Sequence, residues 1–231
     1  MKTRISEAFA ETAAGAVCAA LAESREAPVL ALACGKTMLP VWARLAEEYK
    51  AGRLSFRDAR IVCVTEFCGV SPEKSCRRAL ETGLLQAIDC RPENVFFPDA
   101  EHPEASDERI NTLGGLDLAV LGLGENGHIG YNEPGTLFEA RTHVQKLTDR
   151  TKRQLFKRGF SEADMPEHAV TLGIKTLTEA RKILLLASGE EKAAAVYQTL
   201  YAKTMSYIPA SFLQIPPEVT VILDPAAAAQ L

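Results

Sequence analysis

Apolar positions along this chain fall into short unbroken runs, separated by longer segments in which they recur at helical spacing. The clearest runs are residues 28–34 (PVLALAC), 60–65 (RIVCVT), 116–123 (LDLAVLGL), 182–187 (KILLLA) and 219–223 (VTVIL). Runs this short, continuous rather than alternating, read as strands covered on both faces. Between them, helices are predicted over residues 6–23, 39–51, 72–87, 107–113, 149–158, 176–180 and 190–202. Strand then helix, repeated from end to end, predicts an α/β fold, a Rossmann-like mainly parallel sheet with helices on both faces. No compositional break marks a linker and no internal repeat is visible, so residues 1–231 are read as a single domain.

Composition mainly excludes. A hydrophobic share of 47% and a charged share of 24% suit a globular chain that buries its core without disulfides. The net charge of −4 is interspersed, which argues against a nucleic-acid partner. An anionic ligand would have to be held by a few placed cations. The six cysteines show no CxxC spacing and no histidine at metal-binding intervals, so reduced thiols and no metal site are expected. The opening MKTRISEAFAETAAGAV carries acids and no apolar segment, unlike a signal peptide. No apolar stretch is long enough to span a bilayer. Together these features predict a cytoplasmic protein with no membrane partner.

In parallel α/β sheets ligands bind beyond the carboxyl ends of the strands, which directs attention to the loops after Cys34, Thr65, Leu123 and Ala187. The first reads Cys34-Gly35-Lys36-Thr37 and opens a helix, a place where backbone amides and a hydroxyl meet an anion. It is not a P-loop, because Leu30 stands where that pattern needs glycine. The competing reading is a tight strand–helix turn. The stretch from Gly122 to Gly127 has a formal GxGxxG spacing, but His128-Ile-Gly-Tyr-Asn132-Glu133-Pro134 follows instead of an amphipathic helix. This loop gathers Asn126, His128, Asn132 and Glu133 among glycines. An imidazole beside a carboxylate exchanges protons near neutral pH. Lys152, Arg153, Lys157 and Arg158 share a predicted helix, and Lys192 follows a Ser188-Gly189 turn. Each run alone reads as a solvated face; together, on neighbouring strand ends, one cation from each clamps a phosphate.

These residues resemble the glucosamine-6-phosphate deaminase/isomerase family, which shares a superfamily with the 6-phosphogluconolactonases. The likeness covers nearly the whole chain. It shows in Leu32-Ala-Cys-Gly-Lys-Thr37, in Thr65-Glu66-Phe67-Cys68-Gly69-Val70, and most specifically in Leu121-Gly-Leu-Gly-Glu-Asn-Gly-His-Ile-Gly-Tyr-Asn-Glu-Pro134. The resemblance implies aldose–ketose isomerisation with loss of ammonia. His128 would protonate the ring oxygen, oriented by Asn126 and Glu133. Gly35, Lys36, Thr37 and Lys192 would hold the phosphate, with Gly127 beside them in the substrate site and Lys157 at a position where the family has arginine. No metal or organic cofactor is implied, the partner is a small sugar 6-phosphate, and the family often forms homo-oligomers.

Two departures bear on the chemistry. The family's proton-shuttling Asp falls at Thr65, which cannot be a carboxylate base. Its neighbour Glu66 would serve only if the strand ended or bulged there, since adjacent strand residues face opposite ways. The family's usual Asp before Gly-His is Asn126; this, with Pro209-Ala-Ser-Phe-Leu213, looks more like a galactosamine-6-phosphate branch. Pro216 stands where a histidine commonly follows. The alternatives are a 6-phosphogluconolactonase-like hydrolase, which needs no carboxylate at C2, and a sugar-phosphate-binding protein that has lost the chemistry.

Overall fold

The unbroken apolar runs become the middle of a parallel sheet. The computed structural model describes residues 1–231. Its first part runs β1 (Lys2–Ile5), α1 (Phe9–Ala22), β2 (Val29–Leu32), α2 (Leu39–Lys50) and β3 (Arg60–Cys63). Next come β4 (Thr65–Phe67), α3 (Cys76–Gly83), β5 (Val95–Phe96), α4 (Glu104–Thr112) and β6 (Leu118–Gly122). The chain finishes through β7 (His143–Lys146), α5 (Asp149–Lys157), β8 (His168–Thr171), α6 (Ile174–Thr178), β9 (Lys182–Ala187), α7 (Ala193–Tyr201) and β10 (Val219–Leu223). Seven strands pair in parallel in the order β1-β10-β9-β6-β2-β3-β5. Every residue of β2 is buried, as are the first four of β6. Strands buried at each position need cover on both faces, and each fully buried Leu or Val contributes about 1.5–3 kcal/mol relative to exposure. One continuous apolar cluster runs from Phe9 to Ala228. No helix is long and apolar enough to cross a membrane.

A second sheet, of three antiparallel strands in the order β4-β8-β7, lies outside the sequence expectation. Its strands are short and mix polar with apolar residues, so they carry no unbroken apolar run. It also corrects the strand read over 60–65. β3 ends at Cys63, and after Val64 the chain leaves the main sheet to pair Thr65 with Thr171 and Glu66 with Val170. The edge strand β1 went unread for a similar reason. All four of its residues are exposed, and Lys2 and Arg4 guard an edge that would otherwise template aggregation.

Helix 72–87 is likewise broken. Ser75 adopts extended backbone and its hydroxyl accepts the Arg78 amide, so α3 starts afresh at Cys76. That is an N-cap, satisfying an amide that a continuous helix would have paired internally. The remaining helices match their predicted positions within a few residues; α1, for example, begins at Phe9 and packs on α2 and on strands β6, β9 and β10.

Candidate active site

Strand order reverses between β2 and β6: β3 and β5 continue on one side, β9, β10 and β1 on the other. Loops leaving two such strands diverge, and the gap between them is a ready-made crevice. Here it is a cavity of about 400 Å³. The turn after β2 supplies Cys34, Gly35, Lys36 and Thr37; the loop after β6 supplies Glu125 and His128. Thr65, Lys157 and Arg158 of α5 and its end, and Lys192 beyond β9 complete the wall. All come from one chain.

The loop carrying His128 is built to hold one shape. Gly127 and Gly130 have φ of +83° and +59°, a region that side chains rarely enter. Asn132 is fully buried and donates its amide to the carbonyls of Ile129 and Leu172, at 2.9 and 2.8 Å. The Tyr131 amide donates to the Thr171 hydroxyl at 3.1 Å, tying the same loop to β8. Gly124 lies flat against the imidazole: a Cβ there would overlap Cδ2, Nε2 and Cε1 of His128. Gly124→Ala is therefore expected to displace the ring and cut turnover at least tenfold, with a melting temperature close to that of the parent; steady-state kinetics beside thermal unfolding checks it.

Behind the imidazole stands Glu133, 1% exposed. Its Oε2 lies 3.6 Å from His128 Nδ1 and accepts the Asn126 amide at 2.7 Å. Thr148, which caps α5, adds its amide at 3.3 Å and its hydroxyl at 3.2 Å. Burial pushes this carboxyl up, but His128, Thr151 and Asn126 outweigh burial and hold it at about 2. An ionised carboxylate on that side holds a proton on Nδ1, so Nε2 is the nitrogen left to exchange protons with a bound molecule. Asn126 meanwhile accepts the His128 backbone amide at 3.2 Å, so it fixes the loop instead of touching the ring. An aspartate at 126 would bring a second negative charge against Glu133; the amide donor removes that repulsion.

A carboxyl held at about 2 when folded binds its proton more weakly than in the unfolded chain. The stabilisation is complete above the unfolded value and is lost as pH falls through the folded one. Unfolding midpoints should drop between about pH 5 and 2, and Glu133→Gln should flatten that segment of the curve. Denaturant titrations across the range measure it.

Of the predicted substrate-binding residues, Gly35, Lys36, Thr37, Lys157 and Lys192 all line the cavity. Gly127 does not. Its carbonyl accepts the Ala210 amide at 2.8 Å, and a Cβ on it would press on Ile208. It buttresses the loop against residues 209–214. Arg158, noted in the sequence only as one of a basic run, also lines the wall. Lys192 is pushed down by burial, against the pull of Glu125 and Glu191 and with the help of Arg158 and Arg150. A half-buried lysine sharing one wall with exposed Lys36, Lys157 and Arg158 suits an anion.

Thr65 lies on the cavity wall, but Glu66 does not. The main strand does end before it, as the sequence reading required, yet alternation still turns its side chain the other way. Glu66 Oε1 accepts the amides of Phe67 and Cys76 at 2.8 and 2.7 Å, and Oε2 accepts that of Arg77 at 2.8 Å. It closes the N-terminus of α3 and is not brought to the substrate site. The sequence reading also passed over Cys34 and Tyr131 as site residues. Both line the cavity, and their position at strand-end loops was the available signal.

A sequence profile described as glucosamine-6-phosphate isomerases/6-phosphogluconolactonase matches residues 2–222. The chain is 39% identical to a glucosamine-6-phosphate deaminase of Bacillus velezensis over 231 residues, covering 96% of this chain and 95% of that one. It is 40% identical to one from a Geobacillus species, covering 88% and 85%. Among solved structures, a monomeric glucosamine-6-phosphate deaminase superposes with a TM-score of 0.95 at 33% identity, each chain covered completely. The 6-phosphogluconolactonase of Trypanosoma brucei shares the fold at a TM-score of 0.78 and 22% identity. The chain belongs to the glucosamine-6-phosphate isomerase/6-phosphogluconolactonase family.

Proposed function

We propose that this protein isomerises and deaminates an amino-sugar 6-phosphate, releasing ammonia and a ketohexose 6-phosphate. One observation carries the reading: a single cavity is lined both by the Lys36, Lys157 and Lys192 cations and by His128, which the buried Glu133 backs from behind. The phosphate lodges among the lysines with Gly35 and Thr37, and the sugar ring extends toward His128. His128 passes a proton to the ring oxygen and opens the ring; Glu133 and Asn126 keep the imidazole in position. Proton transfers alone accomplish the reaction, so the residues need no cofactor. Relatives at 39% and 40% identity bear the deaminase name, which supports the same substrate class. Asn126 and residues 209–213, by their resemblance, favour the galactosamine epimer.

The test is release of ammonia and ketose phosphate from glucosamine 6-phosphate and galactosamine 6-phosphate, compared side by side. Failure of both at high enzyme concentration overturns the reading, and a preference for the gluco epimer overturns the galactosamine assignment. A second reading is favoured by Thr65 and by Glu66 facing away. Hydrolysis of a 6-phosphogluconolactone needs the imidazole and the phosphate clamp but no carboxylate at C2. Acid release above the spontaneous rate would support it. Stabilisation by a sugar phosphate with no turnover of either substrate would instead mark a binding protein.

A further inference from the structure

The deaminase reading leaves one step without an evident group: the transfer of a proton between C2 and C1 of the opened sugar. Two carboxylates line the cavity, Glu125 and Glu191, and both act on Lys192 at the phosphate-binding end. Glu66 is spent on the amides of α3. Tyr131 lines the same wall, but burial pushes its phenol well above the usual range, leaving it protonated and a poor base. His128 is engaged at the ring oxygen.

One ionisable group remains beside Thr65. Cys34 lines the cavity and its Sγ lies 3.8 Å from the Thr65 hydroxyl. That hydroxyl is in turn 3.5 Å from Cys76 Sγ, and Cys63 Sγ donates to the Thr65 carbonyl at 3.2 Å. Parallel pairing sets Leu32 opposite Cys63, so Cys34, two residues on, faces the same way as both. Three thiols and a hydroxyl thus gather at the end of β2. Gly130, two residues from His128, abuts Thr65: a Cβ there would lie 3.4 Å from Thr65 Cγ2. The thiol cluster and the imidazole loop therefore border one pocket. The Cys63 and Cys76 thiols, against burial and aided by Thr65 and the Arg158 charge, hold the Cys34 thiol well below its ordinary range. Cys63 and Cys76 are pushed the opposite way by Cys34 and by burial, so Cys34, the one of the three that lines the cavity, is the thiol that gives up its proton most readily.

We propose that Cys34 is the base of the isomerisation, taking up the work of the carboxylate missing at Thr65. This rests on the deaminase reading. In the open aldose Cys34 Sγ removes the C2 proton; the electron pair forms the C1–C2 double bond as the C1 oxygen takes a proton from solvent water. The thiol then returns its proton to C1, and the nitrogen lone pair closes a C2 iminium. Water adds at C2 and ammonia departs. No electrons are gained or lost overall.

Two variants, Cys34→Ser and Cys34→Ala, test the idea in ²H₂O with glucosamine 6-phosphate and galactosamine 6-phosphate. Deuterium entry at C1 and C2 is followed by NMR, together with kcat, KM and thermal stabilisation by the same sugars. The expected result is a fall in kcat and in exchange of about a hundredfold or more, with KM and sugar-induced stabilisation close to those of the parent. A parent enzyme that exchanges and deaminates while Cys34→Ala does so equally well overturns the base and leaves the deaminase intact. Loss of sugar-induced stabilisation in both variants also overturns it, because the thiol would then be shaping the pocket. A parent that neither exchanges nor deaminates sinks the deaminase reading and the base with it.

Discussion

Replacing His128 with Gln is expected to lower kcat by about two to four orders of magnitude while KM stays within a few-fold of the parent value. Glutamine nearly matches imidazole in volume and hydrogen bonding but carries no proton to give at neutral pH. The loop that presents residue 128 is held by groups the substitution does not touch, namely Asn132 on two carbonyls and Tyr131 on Thr171. The phosphate cations stand on other elements, after β2, on α5 and after β9. Binding and chemistry should therefore separate. Ammonia release under saturating and limiting hexosamine phosphate gives both constants, and a fall in kcat of less than tenfold would mean that the imidazole moves no proton.

Lys192→Ala should produce the opposite split. Hydrogen bonds to charged groups contribute about 1.5–3 kcal/mol, so losing one from a phosphate raises KM by roughly tenfold to a hundredfold. The effect is placed at Lys192 because it is the half-buried cation of the group, pushed down by burial, and so screened least by water. Lys36 and Lys157 are exposed and should each cost less. Removing an ammonium that burial disfavours should leave the unliganded protein no less stable, a trade of stability for function. The check is a KM measurement with thermal unfolding run with and without inorganic phosphate. Equal stabilisation by phosphate in parent and variant would remove Lys192 from the clamp.

Much of this molecule was legible before any coordinate. The runs 28–34, 182–187 and 219–223 became parallel strands because mostly apolar runs without alternation can be buried only where both faces are covered. Of the four loops flagged at strand ends, those after Cys34, Leu123 and Ala187 reach the cavity, and the fourth touches it only through Thr65 itself; the location of a crevice follows from topology and not from particular side chains. The basic residues were visible too, although nothing in the pattern of 148–160 distinguishes Lys157 and Arg158, which face the cavity, from Lys152, which pairs with Glu167 at 2.6 Å. Gly127 was grouped with the cavity residues for the same reason, although it does not line the cavity: a glycine-rich loop announces tight turns but not which turn faces the crevice.

Sequence alone thus determined what depends on local order along the chain: the layered α/β architecture, the strand ends that bear the site, and the types of residue present there. Tertiary structure decided what depends on direction. Whether the chain stays in one sheet at Val64 is settled by pairing with β8, more than a hundred residues away. That departure sends Glu66 to the amides of α3 and leaves Thr65 and Cys34 at the pocket. Period-two alternation tells which neighbours part company, but only the partner strand fixes which of them faces the substrate.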